Sequence, residues 1–126
     1  MDDSNSLNEV KVRLKLEPGE KLLSNTQMST PEDAVRVMQK YLYNLDREYC
    51  TVVNLDIGLK PISFSIAAIG DIDQAVVPIR NLFKTAILQN ASSIMMFHNH
   101  PSGDVHPSDA DFQLTQRVAQ CGKLMN

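Results

Sequence analysis

At 126 residues, 43% hydrophobic and 21% charged, the chain fits one soluble domain and leaves no room for two independent cores. No apolar run approaches the roughly 18 residues that a membrane span needs. The polar, acidic start Met1-Asp2-Asp3-Ser4-Asn5-Ser6 does not read as a secretory signal, so a cytoplasmic setting is the expectation. A formal net charge of −3 runs against a generic nucleic-acid binder and leaves such a role to a local patch. Cys50 and Cys121 stand far apart with no Cys-x-x-Cys pair, and they read as buried or half-buried thiols rather than a disulfide.

In chain order, residues 1–9 read as a flexible tail. Val10, Val12, Leu14 and Leu16 then alternate with Lys11, Arg13 and Lys15, and a period of two predicts a strand with one buried face. The three basic residues can meet a phosphate backbone; the stronger reading is a solvated face that discourages edge-to-edge pairing. Glu17-Pro18-Gly19-Glu20 predicts a turn. Thr30-Pro31-Glu32-Asp33 opens a helix, with Thr30 as cap, Pro31 at the first helical position and two acids complementing the dipole. Ala34, Val37, Met38, Tyr41 and Leu42 give that helix its buried stripe.

Residues 48–55 and 61–69 are β-rich and predict two strands, with Ile62, Phe64, Ile66 and Ala68 sharing one face of the second and a hairpin turn over 56–61. A second helix over 78–90 places Ile79, Leu82, Phe83, Ala86 and Ile87 together, and Asn90 stops it. The apolar run Ser93–Phe97 suits a strand covered on both faces. A Pro- and Gly-rich loop follows, and Ser108 begins a last helix to about Gly122. The order β-α-β-β-α-β-α predicts a sheet packed by helices, an α/β or α+β layered domain over 1–126. An α/β domain would usually return another strand after such a helix, so the domain is expected to be incomplete at its C-terminus.

The chemistry concentrates in Phe97–Asp111. His98 and His100 stand two apart at a strand end, so both rings project from one face, and two imidazoles side by side can meet one cation at about 2.0–2.1 Å. Pro101 and Gly103 turn the chain, and the new helix returns Asp111 within its first turn. Two nitrogens and one carboxylate leave a fourth position for water, the pattern of a catalytic rather than a structural zinc. The same ligand set would accept manganese, iron or cobalt. Ser108-x-x-Asp111 also has the spacing of a capping box, a reading compatible with Ser108 facing the site. His106 reads as a solvated loop residue, because a third histidine would close the position that water needs.

His98-x-His100, seven residues beginning with Pro101, then Ser108-x-x-Asp111 resembles the signature of the JAMM (MPN+) metalloproteases. The fuller string His-Asn-His-Pro-Ser-Gly followed by Pro-Ser-x-x-Asp resembles the bacterial RadC family in particular. The likeness runs from about Val10 to the end and includes Leu45-Asp46-Arg47-Glu48-Tyr49 and Phe83-Lys84-x-Ala86-Ile87. It implies a JAMM/MPN, cytidine-deaminase-like sheet with flanking helices and one Zn2+ per chain held by His98, His100 and Asp111. The pattern also requires an upstream glutamate. Glu48 at the start of a strand is the best match, and Glu32 at a helix start is the weaker rival. Two departures stand out. RadC proteins usually carry Pro-Arg-Glu where this chain has Ile79-Arg80-Asn81, a change away from the metal ligands. The family's domain also continues with further strand, and many members carry a helix-hairpin-helix region that is not read in this sequence.

The resemblance implies a metallopeptidase-like hydrolase acting on a peptide or isopeptide bond of a protein or peptide substrate. Glu48 would act as general base toward a water whose pKa zinc lowers to about 7, and Ser108 as a donor to the developing oxyanion. The alternatives are a DNA repair-associated or DNA-processing role and a non-catalytic scaffold. Phosphoryl chemistry commonly uses two metals and only three ligands are visible here. A scaffold would usually have lost ligands. A zinc deaminase would show His-x-Glu and Pro-Cys-x-x-Cys, and the sequence has neither.

Overall fold

The capping sequence predicted ahead of the first helix is seen in the computed structural model, which describes residues 5–13, 15, 17, 19, 21–22, 27–43, 45–70, 77–101 and 109–125. Helix α1 spans Pro31–Tyr43. The Asp33 amide donates to the Thr30 hydroxyl at 3.3 Å, while the Asp33 carboxylate accepts from the amides of Ser29 and Thr30, both at 3.0 Å. This is a capping box with Asp in the role of Glu. The Ser29 amide bond, above all, holds the Asp33 carboxyl below the usual carboxylate range, helped by Thr30 and by the Arg36 guanidinium paired with it. Ala34, Val37, Met38 and Leu42 are buried as expected, and Tyr41 is half-buried with its ring edge-on to Phe64 at 5.7 Å.

Strands β1 (Tyr49–Leu55), β2 (Pro61–Ile69) and β3 (Ser93–His98) form an antiparallel sheet in the order β2-β1-β3. Helix α2 spans Ile79–Leu88 and α3 spans Asp109–Met125. Strand β1 lies in the middle, and from Cys50 to Leu55 every residue is buried. Its alternation feeds two cores. Cys50 and Val52 pack with Leu82 and Phe83 of α2 and Val118 of α3, whereas Val53 and Leu55 pack with Ala34 and Met38 of α1. The domain is therefore α+β with three layers, the sheet between α1 on one face and α2 with α3 on the other. Strand β3 contributes to both cores, Ile94 and Met96 to one and Met95 and Phe97 to the other. At the edge of the sheet, each of its residues stays half-buried.

The hairpin turns where expected. The Asp56 side chain accepts from the amides of Gly58 and Lys60, both at 2.9 Å, and Leu59 takes a left-handed φ of 63°. Helix α2 ends where Asn90 stops it, in a left-handed φ of 54°. The Ala91 amide reaches the Ala86 carbonyl at 2.9 Å and the Asn90 amide reaches Ile87 at 3.3 Å, the paired bonds of a Schellman motif. A buried amide locks α2 to the sheet: Asn54 Nδ2 donates to Ser63 Oγ and Thr85 Oγ1 at 3.0 Å and to Gln89 Oε1 at 3.2 Å.

Four expectations change. No strand forms among the described residues of 10–16, and Val10 and Val12 are 86% and 75% exposed. Alternation assigns faces, but a strand also needs a neighbouring edge to take its backbone hydrogen bonds, and none pairs with the described residues of this segment. The shared face of β2 breaks at an irregularity where Thr51 pairs with Ile66 and Cys50 with Ala68, so Ala68 joins the α2 side while Phe64 stays on the α1 side. Ile87 is 61% exposed rather than part of the α2 stripe. Helix α3 continues to Met125, past Gly122, where an added methyl group would meet only the Phe83 ring at 4.0 Å. The turn at 17–20 lies partly outside the described residues. No helix among them is long and apolar enough to cross a membrane.

Leu82 is fully buried between α2 and the sheet. Leu82→Ala is expected to lower unfolding free energy by about 2–5 kcal/mol, read as a lower denaturant midpoint with unchanged slope.

Candidate metal centre

Strand alternation on β3 decides where the first histidine goes. Ile94 and Met96 face α2 and α3, so His98, two residues on, faces them as well. The β1–β3 register pairs Cys50 with His98 as its last rung. His100 follows two residues later, and the two imidazole rings lie 5.0 Å apart between centroids, tilted by 34°. Asp111 enters from α3 as its third residue and is buried at 5% exposure. His98 Nε2 lies 3.4 Å from Asp111 Oδ1, and His100 Nε2 lies 3.2 Å from Asp111 Oδ2.

These distances describe close imidazole–carboxylate pairs and are compatible with one shared cation. A charge-assisted N–H to carboxylate bond closes to about 2.7–2.9 Å, whereas two ligands at about 2.0–2.1 Å from one tetrahedral ion stand roughly 3.3 Å apart. The ligand atoms of all three residues lie within 4.8 Å of one another. A carboxylate removed from water costs several kcal/mol unless a positive charge or hydrogen-bond donors answer it, and the two imidazole nitrogens are aimed at it. The donor chemistry, two nitrogens and one oxygen, suits zinc.

Cys50 shares this face. Its thiol is fully buried, and burial first, then the nearby Asp111 charge, pushes its pKa up to about 11. It is a neutral thiol at physiological pH, in keeping with the buried thiol expected from the sequence, and Cys121 is a half-buried free thiol. Beside His98 opens a groove of about 720 Å³ whose walls include Phe83, Met96, Thr115 and Val118. A larger hollow of about 970 Å³ lies over α1 and β2 and touches none of the three clustered residues.

Of the residues singled out by sequence, the structure brings together His98, His100 and Asp111. Glu48 is half-buried immediately before β1, with its carbonyl accepting from the Gly70 amide at 2.8 Å. Carrying the Cys50–His98 register two residues further sets Glu48 across from His100. Glu32 is exposed on the first turn of α1, in the helix that covers the opposite face of the sheet. Ser108 and His106 lie outside the described residues. Sequence reasoning missed Asn99. Its side chain accepts from the Tyr49 amide at 2.7 Å and donates to the Arg47 carbonyl at 3.0 Å, extending the β1–β3 ladder past its last backbone rung. The signal was present as an Asn between the two histidines, a residue able to imitate a peptide group.

Fold and cluster together define an α+β domain in which a strand end and a helix start converge on a candidate mononuclear metal site. Residues 28–126 match the RadC-like JAB domain family. The chain is 35% identical over 121 residues to a UPF0758 protein of Caldanaerobacter subterraneus subsp. tengcongensis, covering 92% of this chain and 52% of that protein. It is 35% identical over 124 residues to one of Syntrophomonas wolfei subsp. wolfei, covering 92% and 53%. A UPF0758 protein of Clostridium perfringens is 36% identical over 103 residues, covering 82% and 45%. The chain belongs to the RadC-like JAB domain family, and it spans about half the length of these curated relatives.

A thiol whose pKa is raised on folding adds stability below its unfolded value, and that contribution is lost as pH rises through the folded value. For Cys50 the window runs from the reference 9.0 to about 11. Unfolding free energy is expected to fall across it by about 2–3 kcal/mol, and Cys50→Ala should remove that part of the pH dependence. Iodoacetamide should leave Cys50 unmodified at pH 8 until the chain unfolds.

Proposed function

We propose that this chain is a zinc-dependent hydrolase of the JAMM type that cleaves a peptide or isopeptide bond in a protein or peptide substrate in the cytoplasm. The observation that supports it most is the buried Asp111 carboxylate set 3.4 and 3.2 Å from the nitrogens of His98 and His100. In this reading the three residues hold one Zn2+ per chain. The bound ion supplies a Lewis acid and lowers the pKa of water toward about 7.

The chain's own residues do the rest. Asp111, shielded from bulk water, contributes charge at full strength because little solvent screens it. The backbone pairing of β1 with β3 brings Glu48 to the strand end that bears the histidines. Glu48 takes a proton from the attacking water and passes it to the leaving amine. Ser108, three residues ahead of Asp111, donates to the carbonyl oxygen as negative charge develops there. The groove beside His98 offers an apolar wall for substrate side chains. The acidic balance of the chain, −3, favours a protein or peptide substrate over a phosphate backbone.

The test is zinc titration followed by assay on fluorescence-quenched peptides and a lysine-linked isopeptide. The parent should take up one equivalent and cleave at least one of the two bond types. His98→Ala and Asp111→Ala should lose both zinc and cleavage. Glu48→Gln should keep zinc and lose about 10²–10⁴ in rate. Zinc uptake with neither bond cleaved would overturn the hydrolase reading in favour of a scaffold, and salt-sensitive DNA binding with DNA cleavage would replace it with a DNA-processing role.

A further inference from the structure

The residue between the two histidines is more than a spacer. Asn99 turns its carboxamide toward β1 and uses both ends of it: the oxygen accepts from the Tyr49 amide at 2.7 Å, and the nitrogen donates to the Arg47 carbonyl at 3.0 Å. Those two backbone groups flank Glu48. From the other side, the Gly70 amide at the end of β2 donates to the Glu48 carbonyl at 2.8 Å. Three hydrogen bonds from the residues that directly follow β3 and β2 thus fix the chain immediately before, at and after Glu48.

The last backbone rung between β1 and β3 is Cys50 with His98. Beyond it Asp46 and Arg47 form a bend rather than a strand, where a chain without further pairing frays. Asn99 stands in for the missing rung, and its own backbone lies between the histidines. We infer that Asn99 is a positioning residue that clamps the backbone on either side of Glu48 to the strand end carrying His98 and His100, so that base and ligand pair hold one geometry. The inference rests on the reading of Glu48 as general base. Side-chain chemistry makes the position demanding. Aspartate keeps the acceptor and loses the donor, serine is too short to span both groups, and alanine supplies neither. A displacement of about 1 Å at a reacting group can lower a rate by about 10²-fold, so the clamp should act on turnover more than on binding.

The test compares Asn99→Ala, Asn99→Asp, Glu48→Gln and the Asn99→Ala/Glu48→Gln pair. It reads zinc affinity by competition with a chromophoric chelator, amide hydrogen exchange at Tyr49, and cleavage of the peptides and isopeptide used above. For Asn99→Ala the expectation is zinc affinity within about threefold of the parent, Tyr49 exchange about tenfold faster or more, and kcat down about 10- to 100-fold at little-changed KM. In the Glu48→Gln background it should produce no further loss, since the two act as one unit. Asn99→Asp should keep much of the Tyr49 protection and fall between parent and alanine in kcat. Unmoved Tyr49 exchange, zinc loss matching His98→Ala, or losses that add to those of Glu48→Gln would each overturn the inference. A Glu48→Gln chain as active as the parent would sink the base assignment and the inference with it. An impaired Glu48→Gln beside an additive Asn99→Ala would sink the inference alone.

Discussion

The pairing of β1 with β3 is the interaction on which the rest of this structure depends. Strand β1 is buried on both faces from Cys50 onward, so its alternation must satisfy two cores at once. A slip of one residue would turn Cys50 and Val52 toward α1 and Val53 and Leu55 toward α2 and α3. The same register sets the face on which His98 emerges and the stretch of backbone that arrives opposite His100. Core packing and site geometry are thus two readings of one hydrogen-bonded ladder, and the packing energy of the first enforces the precision of the second.

Asp111 shows how that precision becomes chemistry. Its carboxylate is nearly removed from water and faced by two imidazoles, an arrangement that in an apolar surrounding calls for positive charge. Cys50 answers the same field in the opposite sense. Its thiol is held protonated by burial and by the Asp111 charge, so it brings no second anion to this face.

Much of this was legible in the sequence because the signals were local. Thr30-Pro31-Glu32-Asp33 contains its own cap, Asn90 its own stop and Asp56 its own turn, and each needs only neighbours within a few residues. The histidine pair and Asp111 were legible because a specific spacing repeats a known geometry. What failed was non-local. The alternation of residues 10–16 described a strand that does not form among the described residues of that segment. The changed face of Ala68 follows from an irregularity in pairing that β2 does not encode alone. Ile87 sits at a helical position matching the core stripe, yet it stays exposed. Asn99 was overlooked because its partners, Arg47 and Tyr49, lie some fifty residues away in sequence.

The three clustered residues come from the end of β3, the segment just after it and the start of α3. Helix α3 buries Val118 and partly buries Leu114 and Cys121 against the sheet side, while Phe112, Leu124 and Met125 remain open to solvent. Asp111 joins its first turn to the end of β3 through His98. Any cation gripped by His98, His100 and Asp111 cross-links the strand to the helix and closes the loop between them. Its binding free energy then enters the docking equilibrium of α3 in full. Occupancy of the centre and attachment of the last helix would then form a single linked equilibrium, with the bound cation fastening the fold.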